Sequence, residues 1–206
     1  MADLKGLLSD LEHALDGNDL GLIASVRRTI ADGHPETDAG AEAAYRLGLD
    51  ALFLSRDLKA AEDYFRRAAK AKSPAWSPCA RMSLGSVLMH AGKIQQAIFE
   101  LRRIASASPP TILAIQAKGL LALAFHKNRQ PKESEQARNE CKAALRTMCD
   151  GSPLTPDGAL AAWMLGMELK FDGDRSGARA ALKRALDAEL LPADAKASAE
   201  RALKSL

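Results

Sequence analysis

The sequence predicts an all-α protein: an α-solenoid of antiparallel helix pairs with capping helices at its ends. Three observations carry this. Apolar residues recur at helical spacing along the whole 206-residue chain. A Leu-Gly pair, replaced once by Leu-Ala, returns at intervals of 37, 37 and 44 residues and is followed by a turn and then a small residue. Aromatics make up only 4% of the residues while hydrophobic residues make up 47%, so alanine and leucine must fill the core, which suits closely approaching helices.

Residues 1–36 read as an N-terminal capping pair. Leu4, Leu7, Leu8, Leu11 and Leu15 form one stripe, Gly17-Asn18 stops it, and Leu22, Ile23, Val26 and Ile30 face inward from a second helix. That helix ends at Asp32-Gly33-His34-Pro35, where Gly33 is expected in a left-handed cap and proline bars continuation. Four repeat units follow, at 37–76, 77–110, 111–150 and 157–192. Thr37-Asp38 is the expected N-cap of the first unit, which carries Leu47-Gly48, Ala61, Phe65 and Ala68. The second has Leu84-Gly85, Gly92, Ala97, Leu101, Ile104 and a closing Pro109. Leu121-Ala122, Phe125, Ser134 and Cys141 mark the third, and Leu165-Gly166, Gly173, Ala178, Leu182 and Ala185 the fourth. Residues 193–206, with Ala195, Ala199, Ala202, Leu203 and Leu206 opposite Lys196, Glu200, Arg201 and Lys204, read as a C-terminal capping helix.

Gly85 to Ala97, Ala122 to Ser134 and Gly166 to Ala178 are each 12 residues, whereas Gly48 to Ala61 is 13. The first unit therefore carries one extra residue, or its register differs by one. Gly48 to Gly85 and Gly85 to Ala122 are both 37, and Ala122 to Gly166 is 44. The seven additional residues are expected in a loop at Thr147 to Gly158. Small residues at Gly48, Gly85, Ala122 and Gly166, met by Ala61, Ala97, Ser134 and Ala178, let paired helices approach closely. A single pair cannot bury its apolar face, so units stack.

A formal net charge of +3 with interspersed signs lacks the dense basic face of a nucleic-acid binder. The doublets Arg27-Arg28, Arg66-Arg67 and Arg102-Arg103 read as a solvated face. Cys79, Cys141 and Cys149 form no motif and read as reduced, inert thiols. No signal peptide or apolar run long enough to span a membrane is present, so a cytoplasmic location is expected. His90 and His126 lack a same-face ligand at i+4. Asp172-Gly173-Asp174 lacks the rest of a calcium loop and reads as a turn with an N-cap. With no phosphate loop, nucleophile elbow or paired-carboxylate cleft, neither an enzyme nor a cofactor or metal site is expected.

The repeated Leu-Gly, small residue and proline positions resemble the tetratricopeptide repeat family over about Ala41 to Leu191. The second and fourth units match best. The 37-residue period exceeds the family's 34, and several aromatic positions are aliphatic. The resemblance implies a right-handed superhelix whose first helices line a concave groove. Its positions here would be Tyr45, Leu49, Leu52, Phe53, Cys79, Met82, Ser86, Met89 and His90 in the first two units. Gln116, Leu123, His126, Lys127, Trp163, Met167, Lys170 and Phe171 would follow in the last two. Members that clamp acidic chaperone C-termini place basic and amide residues there, so Tyr45, Leu49, Met82 and Ser86 imply that this clamp is absent.

The expected groove is apolar and methionine-rich, with a basic edge of His90, His126, Lys127 and Lys170. Burial of Tyr45, Met82, Met89, Trp163 and Met167 under the chain's own terminal helices is the alternative. The groove reading implies a protein-interaction scaffold, an adaptor or chaperone-like protein holding an amphipathic, acidic-flanked segment of a protein partner. A structural subunit that buries the groove by homo-oligomerisation is the alternative, and a small-ligand sensor a third class. No nucleic-acid partner and no membrane insertion are expected.

Overall fold

Left-handed backbone punctuates the chain at regular places. Asn18, Arg56, Gly92, Arg129 and Gly173 have φ of 51°, 55°, 74°, 59° and 83°, and each lies two residues ahead of a helix that folds back on the one before it. The computed structural model describes residues 3–107 and 110–206. Met1, Ala2 and the expected closing residue Pro109 lie outside the described residues.

The chain divides into two compact units, Met1–Ile104 and Ala105–Leu206. The first holds three hairpins: α1 (Leu4–Asp16) with α2 (Leu20–Gly33), α3 (Asp38–Phe53) with α4 (Leu58–Lys70), and α5 (Trp76–His90) with α6 (Ile94–Ala105). The second holds α7 (Ile112–Lys127) with α8 (Pro131–Gly151), α9 (Pro156–Phe171) with α10 (Arg175–Asp187), and a final α11 (Ala193–Lys204). The described residues form no strand. The fold class is all-α helical repeat, as the periodicity predicts.

Four of the hairpin turns close in the same way. The amides of Asp19, Lys93, Gln130 and Asp174 donate to the carbonyl five residues back, at 2.8 to 3.0 Å. Asp57 donates to Ala51, six residues back, so the turn after α3 does contain one extra residue. Side-chain caps then start the helices: Asp19 accepts from Leu22 N, Asp57 from Lys59 N and Ala60 N, and Asp174 from Gly177 N. Thr37, Thr111 and Thr155 accept from Gly40, Ala114 and Gly158 at the starts of α3, α7 and α9. Such caps contribute about 1 kcal/mol each.

The small residues of the first helices face large ones on their partners. A β-carbon on Gly48 would lie 2.6 Å from the Phe65 ring, one on Gly85 2.7 Å from Leu101 Cδ2, and one on Gly166 2.6 Å from Leu182 Cγ. Phe65, Leu101 and Leu182 are wholly buried. Each burial stabilises the fold by roughly 1.5–3 kcal/mol, and only glycine permits it at this separation.

Several expectations change. On α1 the inward stripe is Leu4, Leu7, Leu11 and Ala14, while Leu8 and Leu15 are exposed, as is Leu22 on α2. Packing on this terminal pair comes from one side only, so the stripe narrows. Gly33 is the last residue of α2 and is not left-handed; the chain leaves the helix at His34, with φ −133°, ahead of Pro35. The residues expected as a loop at Thr147 to Gly158 are largely helical: the first five extend α8, which runs to Gly151 over 21 residues, and the last three begin α9. Only residues 152–155 connect it to α9, because Pro153 and Pro156 delimit a short link. The arginine doublets are not simply solvated. Arg67 donates to Ala31 O at 2.9 Å and Asp32 at 2.5 Å, closing the end of α2, and Arg184 does the same for α8 at Cys149 O and Asp150. Last-turn carbonyls otherwise lack partners.

Candidate functional site

Two stripes on the first helices decide what is available to a partner. Positions one and five residues past the small residue are Leu49 and Phe53, Ser86 and His90, Leu123 and Lys127, and Met167 and Phe171. Phe53 is 69% exposed, Leu123 45%, Met167 36% and Phe171 80%. Leu49 and Ser86 are half-buried, and His90 and Lys127 are exposed. His90 Nδ1 lies 2.8 Å from its own helix's Ser86 O.

The expected site residues separate accordingly. Met89 falls four residues past Gly85, on the face turned into the hairpin, and is buried; it is core and not a surface contact. Tyr45 is half-buried in an aromatic group, with ring centroids 5.7 Å from Phe65 and 5.5 Å from Trp76. Met82 is half-buried on α5. Trp163 packs against Leu182, Ala199 and Ala202, the seam between α9, α10 and α11, with its Nε1 buried and unpaired among the described residues. The chain's own C-terminal helix therefore covers much of it. Lys170 donates to Ser205 Oγ at 2.5 Å, which turns it toward the end of α11.

Leu123, His126 and Phe171 come together. With Gly119, Ala122, Ser134, Arg138, Cys141 and Glu168 they line a pocket of about 430 Å³ between α7, α8 and α9. Arg138 was not singled out by the sequence reading. Its side chain crosses from α8 to α9, where it meets Glu168 Oε2 at 3.0 Å and Asp172 Oδ1 at 2.7 Å. Its guanidinium lies 4.5 Å from the centre of the Phe171 ring, and Lys142 holds the other Asp172 oxygen at 2.7 Å. At the pocket floor Ser134 Oγ donates to Ala122 O at 2.8 Å, and Cys141 Sγ donates to Ile115 O at 3.4 Å. Burial, aided by the charge of Glu168, pushes the Cys141 thiol from its ordinary 9.0 up to about 11. It is a protonated wall of the pocket and not a nucleophile. Cys79 and Cys149 are also free thiols raised by burial.

Solved structures with this arrangement include MamA from Desulfovibrio magneticus RS-1, 18% identical, covering 90% of this chain and 94% of that one with a TM-score of 0.52. The TPR-like repeats of a candidate kinesin light chain from Podosopora anserina are 12% identical, with 92% and 97% covered and a TM-score of 0.53. The apo form of RapI is 9% identical, with 89% and 69% covered and a TM-score of 0.56. The fold is of the tetratricopeptide type. No family model and no curated protein matches the sequence, so this tetratricopeptide-type chain shares with its structural neighbours an architecture and little sequence.

Among the described residues no group of three His, Cys, Asp or Glu side chains converges to hold a metal, and no helix is long and apolar enough to cross a membrane. Asp174 accepts from Gly177 N and Ser176 Oγ, which hold its carboxyl below the ordinary value; it is a helix cap.

Proposed function

We propose that the protein is a protein-interaction scaffold that holds an amphipathic segment of a partner against the open stripes of its first helices. The observation that carries this reading is the exposure of large apolar side chains at two recurring registers of the first helices: Leu123 and Met167 one residue past the small position, and Phe53 and Phe171 five residues past it. Leaving four such residues in water forgoes the stability their burial would add, and exposed apolar surface is characteristic of interaction sites. The tetratricopeptide-type fold supports the same reading by analogy of architecture. An adaptor or chaperone-like role, in the cytoplasm, is the subclass this surface suits best.

The test is affinity capture with wild type, Phe53→Glu and Phe171→Glu in parallel, with molar mass followed by light scattering. A partner held by wild type and released by either still-folded variant supports the scaffold. Equal capture by all three would remove the stripes from consideration. A second reading, self-assembly, is favoured by the exposed Leu8, Leu15, Leu20 and Leu22 of the α1–α2 hairpin. It requires a molar mass that rises with concentration and falls on Leu20→Glu substitution.

A further inference from the structure

The pocket between α7, α8 and α9 has an internal explanation. In three hairpins the residue four past the second helix's small position is Phe65, Leu101 or Leu182, and it presses on the glycine of the first helix. In α8 that place, four past Ser134, is taken by Arg138. A guanidinium buried there would pay heavily for desolvation without a partner. It turns instead to Glu168 and Asp172 on α9, and the seam above Ala122 stays open as a cavity of about 430 Å³. The chain thus displays in three other hairpins what fills this kind of gap, a leucine or phenylalanine side chain.

We infer that this cavity is an anchor site for one leucine- or phenylalanine-sized side chain of a protein partner. This deepens the scaffold reading and rests on it. Ala122, Gly119 and Leu123 supply an apolar floor and wall, and the exposed Phe171 ring with its Arg138 cover forms the lip. The carboxylates at the lip are already engaged, Glu168 by Arg138 and Asp172 by Arg138 and Lys142. His126, Lys127 and Arg129, at the end of α7 and in its turn, have no side-chain partner among the described residues. The anchoring residue is therefore flanked by carboxylates in the segment that carries it.

A random dodecapeptide display library selected on the whole wild-type protein provides the probe, and the enriched peptides are then measured in solution. Peptides with one central Leu or Phe beside Asp or Glu are expected, and alanine at the anchor should weaken binding at least about tenfold. Arg138→Leu places in α8 the residue type the other hairpins use, here facing the Ala122 methyl where they have glycine, so it should narrow the seam and abolish binding, with retained helicity by circular dichroism showing that the variant is folded. Gly119→Met, which enters the same cavity from α7, repeats the test independently of the Arg138 ion pairs. Selected peptides that bind both filled variants as well as wild type overturn the anchor site. If those peptides instead lose binding on Phe53→Glu, the scaffold reading survives without it. A selection that enriches nothing overturns both.

Discussion

The α7–α8 and α9–α10 hairpins share a 16-residue first helix, a left-handed turn residue and the same turn hydrogen bond. They differ in what fills them. Leu182 seals α9–α10 against Gly166, while Arg138 leaves α7–α8 open beside Ala122. Hairpin geometry is thus set by the turn and the small residues, and solidity by one side chain placed independently. A repeat can keep its outline and exchange its filling.

Removing the filling of the sealed hairpin should have the largest effect. Leu182→Ala is expected to cost about 3 kcal/mol in urea denaturation, against less than about 1 kcal/mol for Arg138→Ala, whose ion pairs are part-exposed. Equal losses would erase the distinction between the seams. Next is the approach itself. Gly166→Val drives its side chain into Leu182 and should cost about 2 to 3 kcal/mol, while Ala122→Val, facing the cavity, should cost little by the same measurement. Ser134→Ala removes the hydrogen bond to Ala122 O that ties the open hairpin together and should cost about 1 kcal/mol.

The smallest effect concerns pH. Because the folded Cys141 thiol is raised to about 11 from 9.0, its contribution is complete below the lower value and disappears as pH rises to the upper one, where the unfolded chain gains by ionising. Stability measured across that window should fall less steeply in Cys141→Ala than in wild type. Identical slopes would place the thiol in contact with water.

The repeat was legible because spacing is a backbone property. The extra residue before Asp57, the caps at Thr37 and Asp174 and the glycine contacts all follow from positions along the chain. The stripe of Leu123, Met167 and Phe171 was legible for the same reason. The pocket was not, since Arg138 reads in sequence as one more solvated cation and its meaning lies in the place it occupies relative to Leu101 and Leu182. Comparison of that register across the four units was the available signal. Counting along the helices places Trp163 and Met89 on the groove side because it fixes a face only to within a residue, and neighbouring helices decide which side of that face is covered.

The two tryptophans of the chain fall one to each compact unit. Trp76 sits beside Tyr45 with the Arg46 guanidinium 5.2 Å from its ring centre. The Trp163 indole is packed among alanines and leucines with its N–H unpaired among the described residues. An apolar cage shifts indole emission to the blue, and a cation above the ring gives the other a distinct response to salt. With either ring replaced by phenylalanine, the unlabelled protein becomes its own optical gauge of when each half melts.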